Sequence, residues 1–336
     1  MELNIIRSNN KDNKVKMRLT DLGEKEIVRR LSKIIPIGDD AAVLEMDKDI
    51  SDRFIVVSTD MFYEKTHRLP GMTMEQIGNY IVCSNFSDIA AMGARPIAFL
   101  LAYGCSDQEF SDFEKVINSV RQRCEFYGAR FIGGDTKQTE QLCLTGISIG
   151  TTNRPVFRSG ANVGDVIAVT GTIGDAGLGV EILLRGIDFR TENSIKNSVI
   201  RKAFEPEARV NEGISIGNFA TSMTDVSDSL ALSLYDVSEQ SNVGMEIDLM
   251  KLPLSENAVK LADRFGVDIL EYALYTGGDY ELLFTANPGD IDRINKINAT
   301  VVGRVTQNGI IAVDGNERIK IRKDGYEHFR KNCCIE

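Results

Sequence analysis

Histidine is almost missing from this chain: there are 2 in 336 residues, His67 and His328. That excludes a histidine-rich transition-metal centre, since such sites draw on imidazole nitrogens. The 6 cysteines, at 83, 105, 124, 143, 333 and 334, include no Cys-x-x-Cys pair. Neither a structural zinc site nor a disulfide framework is indicated, and the thiols are read as reduced.

No apolar run approaches the ~18 residues of a membrane span, and Met1 to Lys16 lacks the apolar stretch of a signal peptide. The sequence therefore predicts a cytoplasmic protein with a flexible start. Basic residues are in deficit, with 39 Lys and Arg against 49 Asp and Glu and a formal net charge of -10. Nonspecific nucleic-acid binding, which needs Lys and Arg against phosphates, is disfavoured. Also absent is Gly-x-x-x-x-Gly-Lys-Ser/Thr, and the glycine-rich turn of Gly171, Gly174, Gly177 and Gly179 carries no lysine. A bound phosphate would have to be met by metal ions, glycine amides and an arginine such as Arg158.

What is present is a chain with 43% hydrophobic residues, long enough to exceed one core. Periodicity gives a helix over Leu22 to Ile34 and a strand at Phe54 to Val57 ending in Ser58-Thr59-Asp60. A capped helix follows from Thr73, then a strand at Ile97 to Tyr103, a helix from Gln108 to Tyr127 with Ser106 or Asp107 as cap, and strands near Phe131 and Leu142 to Thr151. After a break at Asn153-Arg154-Pro155 the strand, loop and helix pattern resumes. Strands are read at Val166 to Thr170, Val243 to Ile247, Tyr280 to Thr285, Thr300 to Val305 and Ile310 to Val313. Helices are read up to Leu184, over Asn211 to Ala220, Ser229 to Ser241 and Ser255 to Phe265, with 185–200 polar and peripheral. The division is a flexible segment 1–20, an N-terminal domain 21–152 and a C-terminal domain 153–336.

Asp88 is the residue that stands out. The capping box Thr73-Met74-Glu75-Gln76 starts its helix, Gly93 offers a left-handed stop, and Pro96 prevents resumption. On one face lie Ile77, Ile81, Ser84 and Asp88, so an apolar stripe ends in a carboxylate. The last turn of a helix prefers cations by roughly 0.3 to 1 kcal/mol. A positive group opposite Asp88 is expected; the alternative is that the stripe has rotated out to water.

Asp39, Asp40, Asp60, Asp135, Asp225 and Asp228 share a context with Asp88: small neighbours, at the ends of strands or turns. Two unit charges about 4 Å apart repel by roughly 4 kcal/mol at an effective dielectric of about 20. Were several of these acids to converge, divalent cations would be needed, and oxygen-only ligands select hard ions such as Mg²⁺. Taken singly, Asp225 and Ser227 read equally as caps of the following helix, and Asp39 or Asp40 as a turn residue.

In order, Gly38-Asp39-Asp40-Ala41-Ala42-Val43, Ser58-Thr59-Asp60, Ser87-Asp88-Ile89-Ala90-Ala91-Met92-Gly93-Ala94, Gly133-Gly134-Asp135-Thr136, Val169-Thr170-Gly171-Thr172 and Asp225-Val226-Ser227-Asp228 resemble the thiamine-monophosphate kinase family. This family is a branch of the aminoimidazole ribonucleotide synthetase superfamily, and the resemblance runs from Leu22 to Phe329. It implies a two-domain α/β fold, an N-terminal mixed sheet with helices plus a C-terminal α/β domain, dimerising through the N-terminal sheets. It also implies ATP, several Mg²⁺ ions and thiamine monophosphate in one cleft, with direct phosphoryl transfer to thiamine diphosphate and no protein nucleophile. The family's magnesium positions match Asp40, Ser58, Thr59, Asp60, Asp88, Asp135, Asp225 and Asp228. Nucleotide positions match Gly134, Arg158 and Ser227, and substrate positions match His67 and Tyr326.

One departure is evident. The family's Gly-Gly-Glu-Asp-Tyr-Glu-Leu reads here as Gly277-Gly278-Asp279-Tyr280-Glu281-Leu282, without the substrate-facing glutamate. Asp279, the nearest acid, is expected either to take its place on the substrate or to shape the turn. Rival readings are another ATP-dependent enzyme of the superfamily, a synthetase or a hydrogenase-maturation type using Cys333-Cys334, and a non-catalytic nucleotide-binding module.

Overall fold

The computed structural model describes residues 54–185 and 193–326, with the single positions 17, 30, 33 and 34. Gly38-Asp39-Asp40, most of the N-terminal helix read from Leu22, and Cys333-Cys334 lie outside the described residues.

The first half is a four-stranded sheet built from β1 (Phe54–Tyr63), β2 (Arg95–Cys105), β3 (Arg130–Gln138) and β4 (Cys143–Thr152), in the order β1-β4-β2-β3. Only β2 and β3 run parallel; the other neighbours are antiparallel, so the sheet is mixed. A short helix, α1 (Glu64–His67), leaves β1. Two longer ones, α2 (Met74–Ala91) and α3 (Phe110–Phe126), pack against each other beside the sheet.

α2 begins where the capping box predicts. The Gln76 amide donates to Thr73 Oγ1 at 3.3 Å, and the Thr73 amide donates to Gln76 Oε1 at 2.9 Å. It ends at the expected stop, with Gly93 at φ +64°. Ile77, Ile81, Val82, Phe86, Ile89 and Ala90 are all fully buried, and they spread around the helix rather than along one stripe. A helix apolar on all sides belongs inside a protein, and α2 is covered by β1 and β4 on one side and by elements of the second half on the other. α3 starts slightly later than read: its N-cap is Glu109, with no side-chain cap, and neither Ser106 nor Asp107 fills that role.

The second half is a seven-stranded sheet, order β11-β10-β7-β9-β5-β8-β6. Its strands are β5 (Val166–Thr170), β6 (Ser222–Val226), β7 (Gly244–Asp248), β8 (Glu281–Ala286), β9 (Ala299–Thr306), β10 (Ile310–Asp314) and β11 (Glu317–Lys320). Helices α4 (Asp175–Leu184), α5 (Asn193–Phe204), α6 (Val210–Ile216), α7 (Leu230–Ser241), α8 (Glu256–Phe265), α9 (Ile269–Tyr275) and α10 (Ile291–Ile294) complete it. α5 corrects the reading of 185–200 as peripheral, because Val199 and Ala203 on it are buried.

Alternation along β8 separates two cores. Leu282 and Phe284 join the cluster that contains α2, whereas Leu283 faces α7 and α9 with Leu234 and Leu274. One apolar core thus runs unbroken from the first sheet through α2 to the second sheet. The groups at the C-terminal end of α2 are thereby fixed against β6 and β8.

Candidate active site

β1 delivers alternating side chains to opposite faces. Ser58 and Asp60 point to the α2 side and are half-buried, while Ile55, Val57, Thr59 and Met61 are exposed on the other. Thr59 is therefore not brought together with Ser58 and Asp60; its hydroxyl donates to the Gly146 carbonyl at 2.8 Å. Asn85 braces β1 to α2, accepting from the Asp60 amide at 3.1 Å and donating to the Ile81 carbonyl at 2.8 Å. One turn further along α2, Asp88 Oδ2 accepts a short hydrogen bond from Ser58.

From the second half, β6 carries Asp225, a buried residue, at its penultimate position. Its Oδ2 accepts from Ser87 at 2.8 Å and its Oδ1 from Ser227 at 3.1 Å. Asp88 is half-buried and has not rotated out to water, and Asp225 does not cap the helix beyond β6, whose cap is Ser229, accepting from the Leu232 amide.

Burial raises the carboxyl of Asp88, and the charges of Asp225 and Asp60 raise it further against the Ser58 hydrogen bond. Asp225 is raised too, by burial first, with Ser87 and Ser227 opposing. The cation expected opposite Asp88 is present only weakly: Arg158 favours both ionised acids, but the charge of Asp225 acts on Asp88 more strongly in the other direction. Arg158 itself is exposed, with Nε donating to Thr224 Oγ1 at 3.1 Å and a 3.0 Å ion pair to Asp236.

Every donor in this group is an oxygen, which suits a hard cation and not a thiophilic one. Among the described residues no three His, Cys, Asp or Glu side chains close around one point. Asp88 and Asp225 offer instead a pair of acids whose mutual repulsion calls for positive charge, and one or two carboxylates is what Mg²⁺ takes when water and phosphate oxygens fill the rest of its shell. The residues present therefore fit Mg²⁺.

Other sites read from the sequence fall around this group or away from it. Asp228, exposed, lies in the turn after Ser227, and its carbonyl accepts from the Tyr326 amide at 3.0 Å. That contact ties Tyr326 to the turn that follows β6. His67, on α1, packs its ring 5.6 Å from Phe62 and 6.2 Å from Tyr80. Asp135 is not brought to the group: β3 is the opposite edge of the sheet from β1, and Asp135 is exposed with Lys137 Nζ at 3.7 Å. Gly134 has a structural reason to be glycine, since a Cβ there would meet the Leu101 carbonyl oxygen at 1.8 Å.

Asp279 is turned toward the start of α4. Its carboxylate accepts from the Gly174 amide at 2.7 Å and the Ala176 amide at 3.1 Å, so it caps the N-terminus of α4 in place of a local side chain. Of its two expected roles, the geometry matches the shaping one. Burial nevertheless pushes its carboxyl up to about 7, the two amides opposing. Two residues on, buried Glu281 is engaged by Arg209 through bonds of 2.6 and 2.5 Å and by Thr170 at 2.7 Å, tying β8 to the start of α6. This pair was not singled out from the sequence, and nothing in the spacing of residues 209 and 281 signals it.

Residues 38–152 match the family model described as AIR synthase related protein, N-terminal domain, and residues 162–316 match AIR synthase related protein, C-terminal domain. A thiamine-monophosphate kinase of Methanospirillum hungatei is 38% identical over 307 residues, covering 90% of this chain and 97% of the relative. The chain belongs to the thiamine-monophosphate kinase family. A member from Aquifex aeolicus is 32% identical over 318 residues, covering 93% of this chain and all of the relative (100%). Among solved structures of the family, one described as AaThiL complexed with AMPPCP and TMP superposes with a TM-score of 0.76 at 31% identity, over 94% of this chain and 100% of that one.

Proposed function

We propose that the protein transfers the terminal phosphoryl group of ATP to the phosphate of thiamine monophosphate, releasing ADP and thiamine diphosphate. The observation that carries this reading is the meeting of Asp88 and Asp225 from the two halves, in a chain of this family. The P–O bond to the ADP leaving oxygen breaks as a bond to an acceptor phosphate oxygen forms, in line, with no protein nucleophile.

Asp88, Asp225 and Asp60, with the hydroxyl oxygens of Ser58 and Ser227, are the residues that would hold Mg²⁺. Bound there, Mg²⁺ supplies the positive charge that offsets repulsion between two anionic reactants. The chain's own part is positioning. Ser58 and Ser87 fix the two carboxylates by hydrogen bonds, Asn85 fixes β1 to α2, and Arg158 adds a cation at the mouth that suits nucleotide phosphates. Asp40, which lies outside the described residues, and Asp228 remain part of the proposed metal site, and His67 and Tyr326 of the acceptor site, whereas Asp135 and Gly134, on the far edge strand β3, are left out of it.

The same reading makes the protein a cytoplasmic homodimer. Ile55, Val57 and Met61 on the outer face of β1 are exposed at 66%, 63% and 50%, next to half-buried Ile147 and Ile149 on β4. An apolar sheet face of this kind is what a second copy would cover. No helix among the described residues is long and apolar enough to cross a membrane.

Incubation of the chain with Mg²⁺, ATP and thiamine monophosphate tests the reaction. Formation of ADP and thiamine diphosphate in equal amounts, with little ADP when the acceptor is left out, is the expected result. ADP release indifferent to the acceptor, or no turnover, would refute it.

A further inference from the structure

Asp88 lies near the C-terminal end of α2; an aromatic group lies nearer its N-terminal end. Two four-residue steps back from Asp88 lies Tyr80, about 12 Å along the helix axis. Its ring stands edge-on to Phe62 and to Tyr280, each at 5.8 Å, and 6.2 Å from His67. The Tyr280 hydroxyl donates to the Tyr80 hydroxyl at 2.8 Å, joining the first half to the second.

Tyr280 reaches Tyr80 from a left-handed backbone, φ +52°, which among the described residues only one other non-glycine position, Asn242, adopts. Asparagine tolerates that conformation and tyrosine does so only where its surroundings hold it. Here the holding bonds are Gly278 N–H to the Ser227 carbonyl at 2.7 Å and Tyr280 N–H to the Val226 carbonyl at 3.0 Å. Strain of this kind gathers at working sites.

Asp60 links the two groups. Its charge acts on the Tyr80 and Tyr280 hydroxyls, both raised chiefly by burial, and also on Asp88 and Asp225. Tyr326 acts on Tyr80 as well. The Tyr80 ring thus packs among Phe62, His67 and Tyr280, with the charges of Asp60 and Tyr326 near enough to act on its hydroxyl.

We propose that Tyr80 is the specificity residue of the acceptor site. Its ring is the face against which the cationic ring system of thiamine monophosphate packs, while the acceptor's phosphate reaches toward Asp88 and Asp225. Tyr280 is a positioning residue that sets the tilt of the Tyr80 ring through the hydroxyl pair. The inference rests on the phosphoryl-transfer reading above and deepens it.

Steady-state kinetics of the full chain with Mg²⁺, ATP and thiamine monophosphate test it. Tyr80→Phe and Tyr280→Phe break the same bond and are each expected to raise KM for the acceptor about fivefold, the double variant no further. Tyr80→Leu removes the ring face too and is expected to raise it about twentyfold. KM for ATP stays at the wild-type value in all of them. The inference is overturned if the wild type makes thiamine diphosphate while the variants keep its acceptor KM, or if both Michaelis constants rise together, as a merely structural role requires. Should Tyr80→Leu fail to fold, the two Phe variants and their double decide by the same criteria. A wild type that makes no thiamine diphosphate overturns the underlying reading, and this inference with it.

Discussion

The Ser87 hydroxyl, on α2 of the first half, donates to Asp225 Oδ2, on β6 of the second, at 2.8 Å. The next residue on α2 is Asp88, so this one bond sets an acid of the first half beside an acid of the second. Both are held in surroundings that resist ionisation, a costly arrangement unless positive charge is supplied.

Asp88→Asn and Asp225→Asn keep shape and remove charge. Each is expected to lower kcat by at least about a hundredfold, since the lost group acts in the charge-compensating arrangement and not in substrate packing alone. Circular dichroism should be unchanged, and the melting temperature of the metal-free protein should hold or rise, because a repulsive pair is relieved. A variant of either residue with near-normal turnover would remove the acids from the mechanism.

Asp279 is a stability residue on this geometry. Asp279→Ala strands the Gly174 and Ala176 amides and is expected to cost about 1 to 3 kcal/mol, read as a lower melting temperature with the ratio of the two Michaelis constants unchanged. Its folded carboxyl titrates near 7, above the usual aspartate value of 3.8. The folded state therefore binds the extra proton between those values, so this residue's contribution is full below pH ~4 and is lost as pH rises through about 7. Asp279→Asn should accordingly make the fall in melting temperature between pH 5 and pH 8, approximate limits of that window, shallower than in the wild type. A parallel pair of pH curves would contradict the assignment.

Val57, exposed at 63% on the outer sheet face, tests the dimer. Val57→Lys places a charge where two apolar sheets would meet and is expected to shift the sedimenting species from dimer to monomer while leaving the fold intact. A wild type that sediments as a monomer would contradict the dimer directly.

Local signals carried much of the fold. Thr73 and Gln76 announced the start of α2, Gly93 its end, and β-branched runs placed β1, β5 and β8 within a few residues. What sequence reading missed depends on partners far along the chain. Asp279 and the Gly174 amide it caps are 105 positions apart, and Tyr80 and Tyr280 are 200 apart. Neither pair leaves a local pattern, although stepping back by fours from Asp88 does reach Tyr80. Thr59 joins Ser58 and Asp60 only through the family resemblance, and the period of a strand sends its side chain to the other face. α9 and β11 are short, at 7 and 4 residues, and give periodicity little length on which to act.

The central claim is that acids from the two halves hold the cations through which ATP is bound, and titration calorimetry with a non-hydrolysable ATP analogue tests it most directly. Binding should be strong with Mg²⁺, at least about tenfold weaker in excess chelator, and weak under both conditions for Asp225→Asn. Affinity in chelator equal to that with Mg²⁺, or an Asp225→Asn variant that still responds to Mg²⁺ as the wild type does, would contradict it.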